Sequence, residues 1–175
     1  MSLLKIVTYP TKSLSQPSTK IEEIDGEIKQ LIQDMGETMF AESGVGLAAP
    51  QVGVNKRLFV YDSHAADPDY EGEDQDFTAL INPEIIEKRG SFISENEGCL
   101  SVLDYRADVK RAESVTVRAQ NIEGKKLEFD ADGLLAVIMQ HEIDHLDGVL
   151  FIDRISSLKR SMYKKRIMKK MKEKK

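Results

Sequence analysis

The sequence predicts an α+β single domain over residues 1–175: short, mostly antiparallel strands around a buried central metal-binding helix, with a C-terminal helix. Three observations predict it. Helical and strand periodicities occupy separate stretches instead of alternating, as when helices are segregated from a hairpin-built sheet. The clearest strand signals are joined by turn residues at hairpin spacing. A length of 175 residues, 41 % hydrophobic and 31 % charged, suits one globular core and is short for two.

The elements follow in order. The opening MSLLKIVTYP has a short apolar stretch that stops at Tyr9-Pro10, too short for a signal sequence. No later apolar run approaches the roughly 18 residues of a membrane span. Residues 25–42 read as a helix, with Asp25 as N-cap and Ile28, Leu31, Ile32, Met35 and Met39 on one face. Ser43-Gly44 stops it, and the Gly-rich 44–53 reads as a loop or irregular strand. Residues 57–61 and 79–81 are short strand candidates, with the acidic stretch 62–76 as a solvated loop between them. Residues 114–120 alternate, placing Val115, Val117 and Ala119 on one face. Residues 121–124 turn the chain into 125–129, making a hairpin. Asp132 opens a second helix, Gly148 closes it, and a last helix runs from about Ser156.

Charge is unevenly spread. Residues 156–175 hold ten basic side chains against Glu173 alone, so they carry +9 and the other 155 residues −14 of the net −5. An acidic body with a basic tail points to a tail that meets polyanions. The only cysteine, Cys99, excludes an internal disulfide and fits a reducing cytoplasm.

Residues 140–145 read QHEIDH, an H-E-x-x-H match. On a helix, residues four apart lie one turn above each other, so His141 and His145 can aim both imidazoles at one ion. Glu142, about 100° further round, can serve as general base on a metal-held water and then protonate the leaving nitrogen. The bland alternative is a satisfied structural pair. Residues 134–139 are apolar nearly all round, however, and burying two His and a Glu without partners is costly. A hydrolytic site needs a third protein ligand. Downstream stand only Asp147, Asp153 and Glu173; upstream stand Cys99 and His64. His64 lies in the acidic loop. Cys99 sits in NEGCLS, where Gly98 permits close approach and Leu100 and Val102 are expected to be buried, so its thiolate is the better ligand. On that donor set alone the metal would be zinc.

GVGLAAPQVG, EGCLS and QHEIDH, in this order, resemble the three signature motifs of peptide deformylases, and the similarity covers most of the chain. The resemblance implies removal of formate from the N-terminal formyl-methionine of nascent polypeptides. It implies metal ligation by Cys99, His141 and His145, with Glu142 as general acid and base. Gln51 and the backbone N–H of Leu100 would stabilise the oxyanion, beside Gly46 in the catalytic set. Such donors are typically worth about 2.7–4 kcal/mol each. The implied metal is Fe2+, one per chain, with Ni2+, Co2+ or Zn2+ as substitutes; iron beside a thiolate is oxygen-sensitive. Leu103 departs from the proline common in the family, and Arg106 falls where relatives place a substrate-contacting arginine.

A methionine pocket should be apolar. Val137, one turn before His141, and Leu134 before it would form one wall, with Val45 and Leu47 opposite. Gly44, Gly46 and Gly98 free the backbone to pair with an extended peptide. The rivals are a general H-E-x-x-H metallopeptidase, which would need a longer cleft, and a ribosome- or nucleic-acid-binding module with a decayed site. Intact Gln51, Cys99, His141, Glu142 and His145 argue against decay. The expected partners are a formyl-Met peptide and the ribosome, reached through the basic helix with its Leu158, Met162 and Ile167 stripe, with no membrane and no specific nucleic-acid site.

Overall fold

The computed structural model describes residues 3–175, so the first two positions of the expected 1–175 domain lie outside the described residues. The elements run α1 (Gly26–Ala41), β1 (Gly46–Ala48), β2 (Leu58–Asp62), β3 (Phe77–Arg89), β4 (Phe92–Cys99), β5 (Val102–Arg111), β6 (Ser114–Gln120), β7 (Lys126–Asp132), α2 (Gly133–Leu146) and α3 (Ser157–Glu173). β1-β2-β3-β6-β7 form a five-stranded sheet, and β4-β5 form a separate hairpin. Every one of these pairings is antiparallel. The α+β expectation holds.

Helix α1 starts where its chemistry says it should. The Asp25 carboxylate accepts from the Ile28 N–H at 2.9 Å, a cap worth about 1 kcal/mol. Ile28, Ile32, Met35 and Met39 are buried against Leu47, Leu58, Val60 and Ile81, with Leu31 packed at the edge of the same cluster. Ser43, at φ +55°, ends the element.

Strand β3 is far longer than the stretch 79–81, because Asn82-Pro83 reads in sequence as a break. Asn82 crosses the break at φ +51° by using its side chain where ladder bonds fail. Its Oδ1 accepts from the Ile21 N–H at 2.9 Å, and its Nδ2 donates to the Ile21 carbonyl at 2.8 Å and to Gln120 Oε1 at 3.0 Å. The β6–β7 hairpin sits where predicted, with Val115, Val117 and Ala119 buried, although β7 continues past residue 129 to Asp132.

Helix α2 lies on this sheet, burying Ala136, Met139, Ile143 and Leu146 with Phe59, Val115 and Val117. Its N-terminal end is less buried than its apolar sequence suggests: Leu134 is 50 % exposed. Helix α3 also differs from expectation. Leu158 and Met162 point to solvent, at 70 % and 63 % exposure, and the anchor is Tyr163, buried with Leu14, Val102, Val109, Phe151 and Ile152, while Ile167 packs at the margin. No helix among the described residues is long and apolar enough to cross a membrane.

Candidate active site

Helix α2 and the β4–β5 hairpin meet at one point. Cys99 ends β4, His141 and His145 lie one turn apart on α2, and one ligand atom from each falls within 4.8 Å of the others. Cys99 Sγ stands 3.3 Å from His145 Nε2. Tetrahedral coordination at about 2.0–2.3 Å puts ligand atoms roughly 3.3–3.8 Å apart, so a thiolate and two imidazoles at these separations fit a divalent ion. His64 takes no part; its ring stacks on Tyr70 at 3.8 Å in the loop after β2.

The Cys-His-His cluster is held from behind. Glu97 Oε1 lies 3.2 Å from His141 Nδ1, which turns Nε2 inward. Arg111 grips Glu97 through two bonds of 3.0 and 2.8 Å and reaches Asp144 Oδ2 at 2.7 Å. Arg154 closes the ladder with two bonds to Asp144, at 2.8 and 2.7 Å. Burial raises the Glu97 carboxyl, but bonds from His141 and Arg111 outweigh it and bring the pKa to about 2, so Glu97 stays an ionised acceptor. Burial lowers His141, yet bonding to Cys99 and Glu97 wins and raises it well above the ordinary value. His145 is lowered by burial and by the charges of His141 and Arg111. Coordination requires both rings neutral, and a cation at their Nε2 atoms would displace that proton.

Glu142 is buried on the same turn, its Oε2 has no hydrogen-bond partner among the described residues, and desolvation pushes its carboxyl up to about 7. Gly46 of β1 presses against it: a Cβ there would sit 2.5 Å from Glu142 Oε1, so any larger residue would displace the carboxylate. Gln51 is fixed through Oε1, which accepts from the Ala48 N–H at 2.9 Å. Its Nε2 consequently faces Cys99 Sγ at 3.5 Å and Ser101 Oγ at 3.3 Å.

A cleft of about 930 Å³ opens over this cluster, lined by Val45, Gly46, Gln51, Gly98, Cys99, Leu100, Arg106, Leu134, Val137, His141 and Glu142. His145 lies beneath it, buried. Two expectations need correction. Leu47 is in the core under α1 and forms no lip, because in β1 it points to the face opposite Gly46, which lines the cleft together with Val45 just before the strand. Leu100 is half-buried at the cleft wall. Sequence reasoning also missed Glu97, Arg111, Asp144 and Ser101. Acidic residues inside both EGCLS and HEIDH were the available signal.

The family profile described as polypeptide deformylase matches residues 3–161. The chain belongs to the polypeptide deformylase family. A peptide deformylase of Desulfosudis oleivorans is 48 % identical over 99 % of this chain and 97 % of its own. The crystal structure of a peptide deformylase from Legionella pneumophila matches with a TM-score of 0.86 at 40 % identity, over 99 % of both chains. That of the Ehrlichia chaffeensis peptide deformylase in complex with actinonin matches with a TM-score of 0.85 at 39 % identity, over 97 % and 98 %. The deformylase profile takes in the sheet, the hairpin and α2, and ends inside α3, whose Tyr163 and later residues lie beyond the matched span.

Proposed function

We propose that the chain removes the formyl group from the N-terminal formyl-methionine of nascent polypeptides, giving formate and a free amino terminus. The observation that carries this is the convergence, at the floor of one cleft, of a Cys-His-His donor set with an aimed amide and a buried carboxyl oxygen that has no partner among the described residues. Cys99, His141 and His145 would hold one Fe2+, with Ni2+, Co2+ or Zn2+ as substitutes; such an ion supplies a Lewis acid that makes water nucleophilic at neutral pH. Glu97 keeps the His141 ring in register through Nδ1.

Glu142 takes a proton from the attacking water at Oε2 and hands it to the departing amino nitrogen, as the new C–O bond forms and the C–N bond breaks. Gln51 Nε2 and the Leu100 N–H donate to the formyl oxygen as it becomes negative. Gly46 lets β1 approach Glu142 closely. Val137 and Leu134 on one side and Val45 on the other receive the methionine side chain, and Gly98 and Arg106 contact the peptide beyond. The basic α3 brings the enzyme to the ribosome, where its substrate emerges, which places it in the cytoplasm.

Full-length protein purified without oxygen should hold about one ferrous ion per chain and release formate from formyl-Met-Ala-Ser. Cys99→Ala should lose most of the metal. Cleavage of internal peptide bonds without formate release would overturn the assignment in favour of a metallopeptidase.

A further inference from the structure

The cleft has one wall of which the chemistry above uses only Arg106. Cys99 pairs with Val102 and Glu97 with Ala107, so five steps along β5 oppose two along β4, and residues 103–106 bulge out of the hairpin. Bulges beside active sites re-aim side chains. This one turns at Asp104, φ +54°, and presents Leu103, Asp104, Tyr105 and Arg106 to the cleft.

What holds the bulge is α3. The Tyr163 hydroxyl donates to the Leu103 carbonyl at 3.5 Å, and Arg166 donates to the Asp104 carbonyl at 2.8 Å. Lys170 Nζ lies 3.4 Å from the Asp104 carboxylate. The rings of Tyr105 and Tyr163 lie 4.9 Å apart, and the Arg166 guanidinium stands 5.7 and 5.4 Å from their centroids. Tyr163 is rooted in the core, so α3 is a fixed strut and Arg166 is the arm it extends to the rim.

We propose that Arg166 is a positioning residue of the substrate cleft: by holding Asp104 and Tyr105 it sets the rim that receives the peptide residues after the formyl-methionine. The methionine pocket is built on α2 and β1, whereas the bulge lies on β5 beyond Val102, where a chain leaving the metal end would run. This rests on the reading that the cleft takes formyl-peptides.

The test compares holoenzyme with wild-type Arg166, Arg166→Ala and Arg166→Lys on formyl-Met-Ala-Ser and on formyl-methionine amide. Losing one charged hydrogen bond and its ring contacts at a partly exposed site should raise KM for the tripeptide about five-fold in Arg166→Ala. Metal content, kcat and KM for the amide should hold, and Arg166→Lys should recover part of the loss. Unchanged tripeptide KM, or an equal rise for both substrates, would overturn the proposal. Wild-type protein that turned over neither substrate would instead defeat the deformylase reading itself.

Discussion

Glu142 is placed where a carboxylate is least comfortable: buried, raised to about 7 by desolvation, and left with one oxygen that has no partner among the described residues. A group so placed gains little for the fold and is suited to moving a proton. Glu142→Gln keeps volume and polarity but cannot accept the proton. It should retain the metal and lose turnover by about 10²–10⁴-fold, measured as formate release against metal content. Near wild-type turnover in that variant would assign the base elsewhere. The residues that could be read from sequence are those whose chemistry is local. His141, Glu142 and His145 fall within one turn, and Cys99 was the remaining soft donor of suitable setting. Glu97, Arg111, Asp144 and Arg154 could not be read this way, because their roles exist only as contacts. Arg111 meets Glu97 across 14 positions and Asp144 across 33, and no periodicity links them. Buried charges of this kind depend on their partners, and removing one typically costs about 3–5 kcal/mol.

Elements with a clean period were legible: α1, the β6–β7 hairpin and α2 all lie close to where the sequence puts them. The β4–β5 hairpin was not, because its inward positions include Ser94, Glu97 and Arg111, which alternation rules score as outward. Helix α3 was located correctly but turned wrongly. Its apolar residues suggest a stripe through Leu158 and Met162, whereas a single aromatic, Tyr163, makes the anchor. Tyr163→Ala should therefore behave as a core deletion, costing about 3–5 kcal/mol and lowering Tm by roughly 6–20 °C in a scanning calorimeter. Because Tyr163 also props the Leu103 carbonyl and the Tyr105 ring, tripeptide KM should rise with it. An unmoved Tm would mean that α3 is not anchored there. Truncation after Met162 removes this anchor together with Arg166 and Lys170, so it perturbs the cleft as well as the tail.

The whole molecule is an acidic body carrying a basic helix, −14 against +9 by formal charge. Lys165, Lys169 and Lys172 are exposed at helical spacing and continue the outward line of Leu158 and Met162, while Tyr163, Arg166 and Lys170 face the bulge. One helix thus presents two faces, one toward the cleft and one toward solvent. Under the proposed docking on the ribosome, the outward one would meet a polyanion such as ribosomal RNA, since each neutralised phosphate releases counterions. Replacing Lys165, Lys169 and Lys172 together with Gln leaves every contact to residues 103–106 in place, so hydrolysis of short formyl-Met peptides should be unaffected. Co-sedimentation with ribosomes should weaken, and the slope of log affinity against log salt should become shallower by about 2–3, one phosphate contact per lysine removed. If binding and its salt slope were both unchanged, the outward face would have no part in docking and α3 would act on the cleft alone.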